Sequence, residues 1–311
     1  MKILLTSTSF QDTPGKHHEK LDRYNFIIDY LRGPIGSEDL LAVISDYDAV
    51  ICGDDEFNLE VLKKGSKGKL KLLSKYGIGL DKIDLKAAKK LSIAVKNCIS
   101  ANHIAVSEHV FALTLSYFKN LFEYYSVKNE GNWNRLIGRE LFDKKMGIIG
   151  LGRIGKEVAT KALAFGMEVI VFDKFIDEDF ISKHEKVTVA DDLRQIFDSS
   201  DIVTLHLDLN ESTKEIISID LIKNIKNNFV LINTARAGLI SKDALVYGLN
   251  TSIMKAYLTD VLDVEPIPKN HFLINYKNVF ITPHIGSRNH ETVERQGLMA
   301  VNNLLNFFDL E

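Results

Sequence analysis

Short apolar runs alternate along the whole chain with stretches whose apolar positions recur every three or four residues. This alternation predicts parallel α/β architecture, because each buried strand needs a helix to carry the chain back to the start of the next. In the first hundred residues, strands are predicted over Lys2–Thr6, Phe26–Tyr30, Ala49–Cys52, Lys71–Ser74 and Ile93–Val95. Helical spacing covers Ser37–Ile44, with Ser37 as the expected N-cap, and Leu85–Leu91. A second series of strands runs Lys145–Ile149, Glu168–Phe172, Asp201–Leu205, Phe229–Asn233, Lys255–Thr259 and Val279–Thr282. Helices Ile154–Phe165, Ser218–Asn224 and Ser241–Gly248 fit between them, and the chain ends in a helical stretch, His290–Phe308.

Between the two series lies a long helical pattern, Ser107–Phe122, with apolar residues on more than one face. Such a helix must bury both faces, so it is expected to bridge domains or to pack on a partner subunit. The following segment, Tyr124–Phe142, carries the only tryptophan, Trp133, among Asn132, Asn134 and Arg135. That setting suits an interface or plain core equally.

Composition narrows the class. Lys+Arg total 39 against 42 Asp+Glu, a net charge of −3 that lacks the cationic excess nucleic-acid binding requires. No apolar run approaches the roughly 20 residues that span a bilayer. Thr6–Ser9 cuts short the apolar start at Met1, which reads as a first strand rather than a signal peptide. Cys52 and Cys98 are too few for a disulfide framework and read as small buried hydrophobes. A soluble, cytoplasmic protein is expected, with no nucleic-acid or membrane partner.

The first chemical signal is Gly150-Leu-Gly152-Arg153-Ile154-Gly155, which follows the strand Lys145–Ile149 and opens the next helix. The first glycine permits the tight turn, the second lets backbone approach a pyrophosphate, and the third allows close helix–strand contact. The helix start then presents unpaired N–H groups to the phosphates. Asp173 closes the next strand, where a carboxylate accepts hydrogen bonds from ribose hydroxyls and repels a 2′-phosphate, favouring NAD over NADP. The neighbouring Lys174 softens that preference.

Three further strand ends gather polar groups: Asn233–Gly238 with Arg236, Asp260–Pro266 with Glu265, and Thr282–Ser287 with His284. Ligands of open α/β sheets bind outside the carboxyl ends of the strands, the side of the phosphate loop. A guanidinium to hold a carboxylate, an imidazole to exchange a hydroxyl proton and a carboxylate to orient that imidazole make the inventory for hydride exchange with a 2-hydroxy acid. Each residue alone reads as an ordinary surface or loop group. The chain, however, has nine arginines against thirty lysines, and Arg236 directly follows an apolar strand.

These segments, with Tyr76-Gly-Ile-Gly-Leu-Asp81-Lys-Ile-Asp84 and Asn102…Ser107-Glu108-His109, resemble the D-isomer-specific 2-hydroxyacid dehydrogenases, phosphoglycerate dehydrogenases included. The resemblance covers nearly the whole chain. It implies two Rossmann-like/flavodoxin-like doubly wound parallel-sheet domains with a cleft between them. A substrate-binding domain of residues 1–98 plus 287–311 would flank an NAD-binding domain of residues 99–286. The resemblance further implies a homodimer, or dimer-based tetramer, with an arm near residues 107–142. The activity implied is NAD-dependent hydride transfer at C2 of a D-2-hydroxy acid or 2-keto acid, with 3-phosphoglycerate among the candidates. By resemblance His284 is the acid/base, Glu265 its partner, and Arg236 binds substrate carboxylate and carbonyl. Tyr76, Gly77, Ile78, Gly79 and Asn102 would line the substrate site. Gly150, Gly152, Arg153, Ile154, Gly155, Asp173, His206, Thr234, Asp260 and Gly286 would contact the cofactor, Asp260 at the nicotinamide amide.

The sequence departs from the family pattern at Ile99 and Asp208, where proline is common, and at Ala237, where glycine is. The acids Asp54, Asp55 and Glu56 after the third strand discourage a phosphorylated substrate, while Lys75, Arg135 and Arg139 are the cations on offer to one. Two other readings use a glycine-rich loop. An NAD(H)-sensing corepressor-like binding protein of the same fold would not need the acid/base set. A methyltransferase would leave Arg236, Glu265 and His284 without a common purpose.

Overall fold

A computed structural model describes residues 1–124, 131, 133 and 135–311. The chain divides into two compact units, residues 1–102 with 288–311, and residues 103–287.

Unit 1 is built on five parallel strands: β1 (Lys2–Leu5), β2 (Ile27–Tyr30), β3 (Ala49–Cys52), β4 (Leu72–Lys75) and β5 (Ala94–Lys96), in the order β2-β1-β3-β4-β5. Side chains alternate between the two faces of a strand, so each central strand feeds two cores. Leu4, Val50, Cys52 and Leu73 pack with Leu40, Val61, Leu62 and Ala87 from the helices on one face. Ile3, Leu5, Ala49, Ile51 and Leu72 pack on the other with Phe10, Leu21 and the C-terminal helix His290–Phe307, through Ala300, Val301, Leu304 and Leu305. Ser74 ties that helix to the sheet by donating its hydroxyl to the Ala300 carbonyl, 2.7 Å away. Cys52 and Cys98 are free, buried thiols, pushed by burial up to about 12 and about 11, so both stay protonated.

Unit 2 carries a seven-stranded, all-parallel sheet. Its strands are β6 (Lys145–Ile149), β7 (Glu168–Phe172), β8 (Val187–Val189), β9 (Ile202–Leu205), β10 (Phe229–Asn233), β11 (Met254–Thr259) and β12 (Val279–Ile281), in the order β12-β11-β10-β9-β6-β7-β8. One face buries Met146, Ile148, Val171 and Ile232 under helices Arg153–Ala164 and His103–Phe118. The opposite face buries Ile149, Val203, Leu231 and Tyr257 against Phe197, Ile222 and Ala244.

The eleven strands predicted from hydrophobic runs match observed strands to within one residue at each end. Four features differ. β8 was absent from the pattern, because a three-residue Val-Thr-Val strand with two exposed members gives almost no periodic signal. The long helix covers His103–Phe118 rather than Ser107–Phe122. It stops where Arg139 N–H caps the Phe118 carbonyl at 2.7 Å and Asn120 turns to φ +55°. Ser37 is the first helical residue and Gly36 the N-cap; the carboxylate of Glu56 accepts the Ser37 N–H at 3.4 Å in place of a local cap. Trp133 is 83% exposed, which excludes the core alternative, whereas Asn132 and Asn134 lie outside the described residues. Part of the expected arm, residues 125–130, 132 and 134, also lies outside them. Among the described residues no helix is long and apolar enough to cross a membrane.

Candidate active site

In unit 2 the strand order reverses between β6 and β9, which opens a crevice at their carboxyl ends. Gly150 follows β6 with φ +101°, and a Cβ there would lie 2.7 Å from the His206 carbonyl at the end of β9. A Cβ on Gly155 would meet the Gly150 carbonyl oxygen at 2.0 Å, so the third glycine lets helix and turn touch. Gly152 is the N-cap of helix Arg153–Ala164 with no side-chain cap, and a Cβ on it would meet nothing within 4 Å. Uncapped helix amides therefore open onto empty space, the arrangement a pyrophosphate fits. Arg153 is exposed beside this opening, while Ile154 packs on the core.

Asp173, after β7, accepts Leu151 N–H at 2.6 Å and Phe175 N–H at 2.8 Å, one bond on each oxygen. Each oxygen keeps acceptor capacity for a ribose hydroxyl. Thr234 has a buried hydroxyl without a partner at the end of β10, a second feature that fits a bound dinucleotide. His206 shares a 3.0 Å contact with the Thr204 hydroxyl, and desolvation holds its imidazole down to about 3, so it stays neutral.

That neutrality predicts a pH dependence. The unfolded imidazole binds its proton near 6.5 and the folded one only near about 3, so the unfolded chain is protonated first. The contribution is complete above pH 6.5 and is lost as pH falls towards 3, by at most about 1.4 kcal/mol per pH unit. His17 in unit 1 is lowered by burial and acts in the same direction. Urea midpoints measured at pH 7.5 and pH 5 should fall in the parent and fall less in His206→Gln. An equal drop in both proteins rejects the assignment.

Three polar turns, with Arg236, Glu265 and His284, follow β10, β11 and β12. Asn233 is fully buried and clamps the first turn: its Oδ1 accepts Ala235 N–H at 3.0 Å and its Nδ2 donates to the Arg236 carbonyl at 2.9 Å. Arg236 is half-buried in an extended conformation at this turn. Glu265 accepts Leu262 N–H on Oε1 at 2.8 Å and meets His284 Nδ1 with Oε2 at 2.7 Å. His284 sits at φ +54°, in the left-handed region that few side chains adopt.

Asp260 holds the His284 turn in place. Its Oδ1 accepts the Thr282 hydroxyl at 2.6 Å and Ile285 N–H at 2.9 Å, and its Oδ2 accepts Gly286 N–H at 2.7 Å. Burial pushes its carboxyl pKa up, but hydrogen bonds from His109, Thr282 and Ile285 outweigh this and hold the group below its usual range. His109 Nε2 lies 3.0 Å from the Thr282 hydroxyl and 3.4 Å from Asp260. Asn233, His109 and Thr282 stood inside the motifs noticed in the sequence without receiving roles. Their partners are set by strand adjacency, which a single sequence does not display.

Tyr76, Gly77, Ile78, Gly79 and Asn102 belong to unit 1. The Gly77 and Ile78 carbonyls are taken by Cys98 N–H and Asn97 Nδ2, both at 2.8 Å. Gly77 has φ +123°, and the Ile78 and Gly79 N–H groups make no hydrogen bond among the described residues. Successive free amides of this kind form an anion-accepting concavity. Tyr76 Oη and Asn102 Oδ1 are buried without partners.

Residues 111–286 match the family model for the NAD-binding domain of D-isomer-specific 2-hydroxyacid dehydrogenases. The chain belongs to this family. It is 35% identical over 266 residues to D-3-phosphoglycerate dehydrogenase of Methanocaldococcus jannaschii, covering 85% of this chain and 50% of that one. It is equally identical over 270 residues to hydroxypyruvate reductase of Thermotoga maritima, covering 85% and 86%. Among solved structures, the TT0316 protein from Thermus thermophilus superposes with a TM-score of 0.86 at 30% identity, over 99% of this chain and 97% of that one. The chain spans half or less of the phosphoglycerate dehydrogenases that lead the curated relatives. The family's NAD-binding domain thus coincides with the sheet, the glycine turn and the Glu265–His284 pair of unit 2.

Proposed function

We propose that this protein is an NAD-dependent oxidoreductase that interconverts D-2-hydroxy acids and 2-keto acids. The observation that carries the reading is the 2.7 Å contact between Glu265 and His284 at the carboxyl end of the dinucleotide-binding sheet. With Nδ1–H donated to Glu265, the neutral ring carries its lone pair on Nε2, which accepts the substrate hydroxyl proton during oxidation. In reduction Nε2–H returns that proton to the developing alkoxide. Glu265 stabilises the imidazolium in either direction and is itself fixed by Leu262 N–H. The Arg236 guanidinium holds the substrate carboxylate and offsets charge on the C2 oxygen. Within unit 1, the Ile78 and Gly79 amides can accept a carboxylate. A bound nicotinamide supplies or accepts the hydride at C2.

The amides at the start of helix Arg153–Ala164 would hold the pyrophosphate, and Asp173 the adenosine ribose. Exposed Leu121, Trp133, Ile137 and Phe142 support a homodimer formed through unit 2, and the two protonated thiols suit a cytoplasmic enzyme. A scan of NADH oxidation over glyoxylate, hydroxypyruvate, pyruvate and 2-oxoglutarate tests the activity. Light scattering on the same sample should give twice the 35.1 kDa chain mass. NADH binding without turnover of any 2-keto acid would refute the enzymatic reading in favour of an NAD(H)-sensing binding protein. Asp173→Ala should cut the NADH over NADPH preference about tenfold or more, because the acceptor for the 2′-hydroxyl is gone. An unchanged ratio removes Asp173 from the ribose site.

A further inference from the structure

The strand order of unit 1 reverses between β1 and β3, so its ligand crevice opens at residues 6–7 and 53–56. Of the three acids there, two are committed to the fold. Asp55 is fully buried and accepts the Thr6 hydroxyl, Ile35 N–H and Gly53 N–H, and Glu56 caps the helix starting at Ser37. The third, Asp54, is about half exposed and meets Lys75 Nζ at 2.6 Å. Lys75, the last residue of β4, is almost wholly buried and also donates to the Gly53 carbonyl at 2.6 Å. Its ammonium lies 4.0 Å from the position of a Cβ on Gly77, beside the amides that suit a substrate carboxylate.

We propose that unit 1 selects 2-keto acids whose group beyond C3 is uncharged and rejects phosphorylated ones, because Asp54 neutralises Lys75 at the substrate loop. The inference rests on the activity proposed above. A phosphate brings a charge of about −1.5 to −2 at neutral pH and needs net positive charge where it docks. Here attraction to Lys75 is cancelled by repulsion from the adjacent carboxylate. Two of the three ammonium donors are used, and the third suits a neutral hydroxyl or carbonyl oxygen. Arg32 and Arg288 share the single carboxylate of Asp12, which holds both guanidiniums and offsets one of their two charges. Lys82, the remaining cation of the loop, is an exposed residue of the turn after Gly79, where a flexible, hydrated ammonium holds phosphate weakly.

The test uses the full chain with NADH and compares kcat/KM for hydroxypyruvate and 3-phosphohydroxypyruvate. The parent should favour hydroxypyruvate by at least about tenfold. Asp54→Asn, which frees the Lys75 charge, should shrink that preference by about tenfold or more, chiefly through a lower KM for the phosphorylated compound. A parent that prefers the phosphorylated substrate overturns the proposal, as does a folded Asp54→Asn whose preference stays within about threefold of the parent. Should the variant fail to fold, the parent's ratio decides alone. Failure to oxidise NADH with either compound or with any 2-keto acid of the scan above overturns the proposed activity and this inference with it. Turnover that favours phosphate overturns only the inference.

Discussion

A His284→Asn enzyme should turn over its 2-keto acid about 10²–10⁴-fold more slowly than the parent while binding NADH with unchanged affinity. Asparagine is chosen because it tolerates the left-handed backbone at φ +54° better than alanine or glutamine, so the loss reports proton transfer rather than a displaced turn. Asp260 continues to hold Ile285 and Gly286 in the variant, which preserves the turn after the substituted residue. The measurements are steady-state kcat and NADH titration by fluorescence. Turnover within about tenfold of the parent would remove His284 from the acid/base role.

Arg236→Lys keeps the charge and loses the planar fork. Two charge-assisted hydrogen bonds to a carboxylate become at best one, and the lysine ammonium is more strongly hydrated. With about 1.5–3 kcal/mol at stake for the bond that is lost, kcat/KM should fall about 10- to 10²-fold. In the proposed role the same guanidinium binds the ground state and stabilises the transition state, so the fall should be divided between a raised KM and a lowered kcat. Asn233 grips the backbone of residues 235 and 236, so the turn itself does not depend on the arginine head group. A variant that loses only NADH affinity would place Arg236 at the cofactor instead.

Which parts of this molecule could be read from its residues follows from the range of the forces involved. Strands such as Ala49–Cys52 and Phe229–Asn233 are continuous apolar runs because both faces of a parallel sheet are covered, and that pattern is local. The glycine turn was equally legible, since its spacing and the strand and helix that flank it lie within one short stretch of chain. Partners chosen across the sheet were not. Glu56 looked like a charge lining a ligand crevice, yet it caps a helix nineteen residues earlier in the chain. Asp260 looked like a cofactor contact, and its two oxygens carry the turn of the neighbouring strand. Lys75 looked like an available cation until β3 and β4, in register, brought Asp54 against it. The chain positions of these strands and turns were thus visible early, while their hydrogen-bond partners needed the fold.

The outer edge of the larger sheet carries one more consequence. β12 has only three residues, and Thr282 and Pro283 follow it at once. A rim strand offers unsatisfied backbone groups to any passing extended chain, and a long one invites runaway polymerisation. This rim is short, and it gives way to a residue that has no N–H to lend. The proline that precedes His284 thus withholds a donor at the end of the rim, and its substitution should be read in inclusion bodies as well as in reaction rates.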